Sequence, residues 1–150
     1  MKKKMIAAFL ALMLCAALTG CGGSGSSTAT TGGNYKDGTY TGRSSDFPED
    51  ESGNGAGYGE VEIEVKDNKV VSCTFVLYEL DGTVKDDTYG ADLSKENRLK
   101  AQKAVQSADK YSEMLTTDGT LDGVDTISGA TISYNEFLEA VNDALAQAAE

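Results

Sequence analysis

The chain has 150 residues, of which 24 are acidic and 13 basic, and its formal net charge is −11. Because the affinity of a protein for nucleic acid depends on basic contacts to phosphate, this charge excludes nucleic acid as a partner. The chain contains no histidine, which excludes His-ligated haem, the common zinc sites and a Ser-His-Asp triad.

The first 20 residues have the composition of an export signal. Three lysines precede an apolar run over residues 5–17, which is shorter than the about 20 apolar residues of a transmembrane helix. The run ends in the sequence LTGC at residues 18–21, which is typical of a bacterial lipobox. We therefore expect Cys21 to carry a lipid anchor at the cell membrane, because two acyl chains hold a protein there stably. The alternative is a secreted protein in which Cys21 is incidental.

The composition then divides the rest of the chain into a linker and one domain. Residues 22–34 are almost wholly Gly, Ser, Thr and Ala, a composition that cannot bury apolar surface and behaves as a flexible tether. We therefore assign residues 1–20 to a lipoprotein signal peptide, residues 21–34 to the lipidated cysteine and linker, and residues 35–150 to a single domain.

The first part of this domain predicts an antiparallel β-meander. Residues 37–42 indicate a turn and a short strand. Residues 60–65 alternate strictly between acidic and apolar side chains, as a strand with one buried face does. Residues 67–68, Asp and Asn, predict a tight turn because both residue types tolerate positive φ. Residues 70–80 predict a second strand that is apolar on both faces, which we expect at the centre of the sheet, and Asp81-Gly82 begins another turn.

The second part of the domain predicts two helices. Apolar side chains recur at helical spacing over residues 94–115, and Ser133 with Glu136 forms a capping box that predicts the start of another amphipathic helix. Between the helices, residues 116–123 are interpreted as a loop and residues 124–127 as a short strand. The predicted fold class is therefore α+β, an antiparallel β-meander sheet packed with two helices.

The sequence DTISGAT at residues 125–131 joins the loop to the second helix. It places the hydroxyl of Thr131 just ahead of the predicted helix start, where free N–H groups and the helix dipole stabilise an anion. Gly129 and Ala130 leave room for a bulky group to approach the backbone. These features alone are also compatible with a plain glycine-containing turn.

The residues Asp125, Ser128, Gly129, Ala130 and Thr131 resemble the flavinylation motif of the FMN-binding domain family. That family includes flavoprotein subunits of the sodium-pumping NADH:quinone oxidoreductase and of the Rnf complex, and many small bacterial surface lipoproteins. The resemblance implies that a flavin transferase moves FMN from FAD onto Thr131 as a phosphodiester. It implies that Ser128, Gly129 and nearby N–H groups stabilise the phosphate, and that Asp125 serves transferase recognition or orders the turn.

The resemblance also suggests residues near the isoalloxazine ring. Many family members carry a Thr-Pro-Gly segment there, and the nearest equivalent in this chain is Thr88-Tyr89-Gly90, with tyrosine at the proline position. The chain has no tryptophan, so Tyr89, Tyr58 and Tyr134 are the candidates to cover one face of the ring.

From residue 35 to the C-terminus, the resemblance implies a membrane-tethered extracytoplasmic flavoprotein that carries electrons rather than a stand-alone enzyme. The expected partners are the transferase, an upstream membrane quinone or NADH-oxidising system, and a downstream redox acceptor. Covalent attachment suits an acidic chain, because its field would repel free FMN. The alternatives are a surface lipoprotein that binds a ligand or protein without flavin, and a flavin-bearing reductase subunit. The sequence shows no acid–base constellation that favours the reductase.

Overall fold

The computed structural model describes residues 33–49 and 55–150. The proposed signal peptide, Cys21 and most of the proposed linker lie outside the described residues. Within the two described ranges, no helix has both the length and the apolarity needed to cross a membrane.

Three antiparallel strands form one sheet in the order β1-β2-β3. Their bounds are Gly38–Arg43 for β1, Tyr58–Lys66 for β2 and Lys69–Tyr78 for β3. The alternation predicted for β2 is present, since Val61, Ile63 and Val65 are at most 3% exposed while the glutamates between them face outward. Asp67 and Asn68 turn the chain into β3 with φ values of 51° and 63°, as their residue types predict.

The position predicted for β3 was wrong, because β2 is the central strand and β3 lies at an edge of the described sheet. The apolar residues on the outer face of β3 remain at the surface, where Val71 is 48% exposed. Proteins keep many apolar side chains at their surface, so an apolar run on both faces does not by itself indicate a central strand.

Two helices and a short 3-10 helix follow the sheet. The helices are α1, Lys95–Asp118, and α2, Thr131–Ala148, and the 3-10 helix is Leu121–Gly123. Ser94 caps α1 by accepting a hydrogen bond from the N–H of Asn97, and α1 extends beyond its predicted end to stop at Gly119, which has a φ of 86°. The short strand predicted over residues 124–127 does not form.

The capping box predicted for α2 was also wrong. Ala130 is the N-cap and Thr131 is the first helical residue, so the helix begins ahead of Ser133. Ser133 and Glu136 are each 2% exposed and lie on the buried face of the helix. A residue buried against the sheet is fixed by packing, which here overrides the local capping preference.

The core lies where both helices meet the sheet. The ring of Phe137 in α2 packs edge-on against Phe75 of β3, with 5.0 Å between the ring centroids, and stacks on Tyr111 of α1 at 5.5 Å. All three side chains are at most 4% exposed. This shared contact fixes the two helices against the sheet, and with them the loop that carries the DTISGAT sequence. The α+β fold predicted from the sequence is thus confirmed.

Candidate functional site

Tyrosine hydroxyls hold the loop before α2 from both helices. The hydroxyl of Tyr111 in α1 donates to the carbonyl of Ala130 and accepts from the N–H of Ile127, each at 3.1 Å. The hydroxyl of Tyr134 in α2 donates to the carbonyl of Val124 at 3.2 Å. These bonds replace the strand pairing predicted for this segment and present its small residues at a fixed position.

Thr131 is exposed at the start of α2. The first N–H groups of an α-helix have no acceptor within the helix, and Ala130 offers no side-chain capping bond. The first turn of α2 contains no acidic residue. Just before it, Gly129 has a φ of 78°, a left-handed conformation that favours glycine. An anion held by the Thr131 side chain would therefore meet N–H donors and the positive end of the helix dipole.

Lys103 of α1 adds a positive charge beside this helix start. Its Nζ atom lies 3.0 Å from the position that a Cβ atom on Gly129 would occupy, and the side chain is exposed. No local pattern indicates this lysine, because it lies on a different helix. Only the packing of α1 beside the loop reveals it.

A cavity of about 1160 Å³ opens beside Thr131. Its walls come from the segment before β2, from the end of β3 and the segment after it, from the first half of α1 and from the start of α2. Binding sites for small molecules and cofactors commonly have volumes of about 300–1,000 Å³, so the cavity is large enough for a cofactor. It brings residues 88–90 together with residues 129–131. Asp125 and Ser128 are exposed and do not contribute to the lining that the structure describes.

The segment after β3 is fixed on the cavity wall by hydrogen bonds. The N–H and hydroxyl of Thr88 both donate to the Oδ1 atom of Asp86, at 2.9 and 2.6 Å. The Nε2 atom of Gln102 in α1 donates to the carbonyl of Tyr89 at 2.7 Å. Gly90 completes the turn with a φ of 78°. This segment therefore has a defined shape that presents Tyr89 to the cavity.

Of the three tyrosines suggested as ring contacts, Tyr89 lines the cavity. Tyr58 instead stacks on Tyr78 with 5.2 Å between centroids, and the guanidinium of Arg43 lies 3.7 Å from the Tyr58 ring centroid. Tyr134 braces the loop before α2. Neither Tyr58 nor Tyr134 belongs to the described lining of the cavity, so Tyr89 is the candidate that the geometry retains.

Two buried ionisable side chains, Lys85 and Glu136, also line the cavity. Lys85 is 7% exposed and Glu136 is 2% exposed. Burial raises the pKa of the Glu136 carboxyl and lowers the pKa of the Lys85 amine. Desolvation is the larger cause in each case, and the attraction between the two charges opposes it.

The hydrogen bonding of these two groups is incomplete. The Oε1 atom of Glu136 is buried without a hydrogen-bond partner, and the Nζ atom of Lys85 donates to the carbonyl of Gly55 at 3.3 Å. Buried polar atoms are nearly always paired, so the free Oε1 atom fits a polar ligand. No local pattern indicates this pair, because Glu136 fits the spacing of a capping box and Lys85 belongs to no motif.

The comparisons with known proteins agree with this geometry. Residues 54–146 match the FMN-binding domain family, and the chain therefore belongs to that family. Among solved structures, the CPE2226 protein from Clostridium perfringens has a similar fold, with a TM-score of 0.56 and 21% sequence identity over 77% of this chain and 89% of that chain. None of the curated proteins matches significantly.

Family membership gives the chain a flavin-binding role, with FMN as the cofactor. The described residues fit this cofactor, since the cavity has sufficient volume and contains a buried carboxyl oxygen that lacks a partner. The family predicted from the DTISGAT sequence is confirmed. The roles assigned to the individual motif residues remain predictions.

Proposed function

We propose that the chain carries FMN in a phosphodiester bond to the Oγ1 atom of Thr131 and acts as an electron carrier tethered to the extracytoplasmic side of the membrane. The observation that supports the attachment site most directly is the position of Thr131. Its side chain is exposed at a helix start without a side-chain cap, and it lies on the wall of the cavity.

The attachment step needs a reachable hydroxyl and a place for the phosphate. A flavin transferase would move the FMN part of FAD onto Thr131. The hydroxyl would lose its proton, the new bond to the FMN phosphate would form, and the bond from that phosphate to AMP would break. The N–H groups at the start of α2 would then stabilise the phosphate, with Lys103 as a nearby cation. Gly129 keeps this space free of a side chain.

The electron-carrier role follows from the chemistry of the cofactor and from the proposed anchor. Bound FMN supplies reversible electron transfer, while the protein orients the cofactor and tunes its potential. Tyr89 lines the cavity, which supports it as the residue that would cover one face of the ring. A lipid on Cys21 and the linker that follows would let the domain reach both an upstream membrane quinone or NADH-oxidising system and a downstream acceptor.

A flavin-bearing reductase subunit is the second candidate, and a specific observation favours it. Lys85 and Glu136 place an amine and a carboxyl in the cavity, where acid–base chemistry on a substrate would need them. The alternative that the chain is a surface lipoprotein without flavin loses its support, because the chain belongs to the FMN-binding domain family.

The attachment site is tested by replacing one threonine of the DTISGAT sequence at a time. The full chain is coexpressed with a flavin transferase, and Thr131→Ala should abolish both the mass increase of bound FMN and the flavin fluorescence that survives denaturation. Thr126→Ala is the matched control, since Thr126 is also exposed, and it should be flavinylated like the wild type. Modification that persists in Thr131→Ala would exclude this threonine as the anchor.

A further inference from the structure

The carboxyl group of Glu136 is a buried polar feature of the cavity wall. Its side chain lies on the cavity wall at 2% exposure, yet its Oε1 atom has no hydrogen-bond partner. An unpaired buried oxygen lowers the stability of the fold, and structural polar groups avoid that cost. A ligand that donates a hydrogen bond to the Oε1 atom would remove this cost in stability.

Glycines of β2 and the segment before it allow Lys85 and the stem of Glu136 to pack closely, and Gly59 also leaves room for the Phe75 ring. A Cβ atom on Gly57 would overlap the Nζ atom of Lys85, and a Cβ atom on Gly59 would lie 3.2 Å from the Cβ atom of Glu136. The ring of Tyr89 lies beside the amine, with its centroid 5.1 Å from Nζ. Close packing therefore restricts the Lys85 amine and the stem of Glu136 on the cavity wall.

The charges around the pair come from several elements. The Lys85 amine faces Glu136 of α2 and Glu79 of the segment after β3, and the Glu136 carboxyl faces Lys85 and Glu139. Lys85 can form three hydrogen bonds as a donor, and one of them goes to the carbonyl of Gly55. Lys85 as a donor and Glu136 as an acceptor thus line the same cavity.

The polar edge of an isoalloxazine ring offers the complementary groups. It carries two carbonyl oxygens on either side of the N3–H group, so it accepts, donates and accepts in turn. We propose that Glu136 and Lys85 bind this edge of the flavin, with Oε1 of Glu136 accepting from ring N3–H and Nζ of Lys85 donating to a neighbouring ring carbonyl. The inference rests on FMN occupying this cavity, and it does not require the bond to Thr131.

The separation along α2 allows both contacts in one cofactor. Thr131 and Glu136 are five positions apart in the helix, which is about 7.5 Å along its axis. The ribityl chain between the FMN phosphate and its ring can span such a distance. The two side chains also leave the helix about 140° apart around its axis, yet both line the same cavity, so one cofactor there would contact both.

Lumiflavin tests the ring contact separately from attachment, because it lacks the ribityl phosphate. The probe is titrated into the full chain produced without a transferase, and its fluorescence reports binding. Glu136→Leu should weaken lumiflavin binding by about tenfold or more, and Lys85→Met should weaken it by a similar factor. Glu136→Gln retains an acceptor oxygen and should bind within about threefold of the wild type. Glu64→Leu, an exposed position on the outer face of β2, should change nothing.

A methylated probe identifies the atom that Glu136 contacts. 3-Methyllumiflavin lacks the N3–H donor and should bind the wild type more weakly than lumiflavin by about the factor that Glu136→Leu produces. In Glu136→Leu the two probes should bind equally, because the partner of the N3–H group is already gone. Equal binding of both probes to the wild type, or an undiminished preference in the variant, would overturn the assignment.

The flavinylated chain gives a second readout and separates the two proposals. Intact mass reports attachment, and visible circular dichroism reports a ring held by the protein. In Glu136→Leu the FMN mass should remain while the visible signal falls. If the wild type shows no FMN mass after coexpression but binds lumiflavin as described, only the attachment at Thr131 is contradicted. A wild type that neither binds lumiflavin nor shows the visible signal would overturn the ring site.

Discussion

Lys103 and Gly129 both shape the space beside the start of α2. Lys103 places a charged side chain there, whereas Gly129 has no side chain and leaves the space open. The ammonium lies 3.0 Å from the point where a Cβ atom on Gly129 would be. A cation at that point favours a phosphate on Thr131, and the glycine keeps the approach open. The contribution of Lys103 should therefore be visible in how readily the chain is flavinylated.

Reversing the charge of Lys103 tests this contribution. Lys103→Glu should lower the flavinylated fraction by roughly threefold at limiting transferase, because an anion near the helix start repels the incoming phosphate. The fraction is measured by intact mass. Lys110→Glu introduces the same charge change at another exposed position of α1 and should match the wild type. Equal losses in both variants would mean that net charge, not the position of Lys103, controls the reaction.

The burial of Glu136 predicts a pH-dependent stability. Burial raises the pKa of its carboxyl above the ordinary value of 4.5, so the folded chain holds that proton more tightly than the unfolded chain. The stability that this proton contributes is fully present below the unfolded pKa and is lost as the pH rises through the folded pKa. Lys85 has the opposite shift, and its contribution is lost as the pH falls through its lowered pKa.

Glu136→Gln should therefore gain stability relative to the wild type as the pH rises from about 4 to about 8. Each unit by which the folded pKa is raised corresponds to about 1.4 kcal/mol of this gain. Urea unfolding of the chain produced without flavin, repeated across this pH range, measures the difference. Glu64→Gln on the open face of β2 should show no such trend. A constant difference between Glu136→Gln and the wild type would contradict the shifted pKa.

At the scale of elements, α2 packs on β1 with almost no space between their backbones. A Cβ atom on Gly42 of β1 would overlap the carbonyl oxygen of Ala140 and crowd the backbone nitrogen of Ala144. Both alanines are fully buried, so small residues on each element allow the close approach. This contact sets the position of the whole helix, including Thr131 at its start.

Gly42→Ala should lower the free energy of unfolding by about 1–3 kcal/mol or more, because overpacking forces the helix away from the strand. Urea unfolding measures the loss. Gly38→Ala is the control on the same strand, where the added Cβ atom would meet only the end of the Tyr40 side chain, at 3.2 Å from its hydroxyl, and should cost little. Equal stability of Gly42→Ala and Gly38→Ala would mean that α2 tolerates a wider spacing than the contact suggests.

At the scale of the whole molecule, the acidic surface and the proposed anchor act together. The net charge of −11 disfavours the capture of free FMN from solution, and the proposed covalent attachment would remove the need for such capture. Tethering at the membrane would likewise keep the carrier near its electron donors. The anchor is a prediction from residues 1–21, which lie outside the described residues.

The anchor is tested by replacing Cys21 with alanine and, as a control, replacing Cys15 in the same way. Cys21→Ala should shift the full chain from the membrane fraction to the soluble or medium fraction, because the lipidated residue is lost. Cys15→Ala lies within the predicted signal peptide and should leave the mature protein membrane-bound. Detergent phase partitioning measures both variants. If Cys21→Ala partitions like the wild type, the lipobox interpretation is wrong.

The sequence alone determined the features that depend on local pattern. Alternation defined β2, residue type defined the turn at Asp67 and Asn68, and helical spacing of apolar residues defined α1, because each depends on neighbours within a few residues. The DTISGAT sequence likewise predicted the family, since its residues are contiguous in the chain.

Only the tertiary structure decided what depends on residues distant in the chain. It moved the start of α2 ahead of Ser133, since burial fixes that serine and Glu136 by packing. It placed Lys103 beside Gly129 and put Lys85 in the cavity with Glu136. These arrangements arise from the way both helices pack on the sheet, and no local pattern encodes such packing.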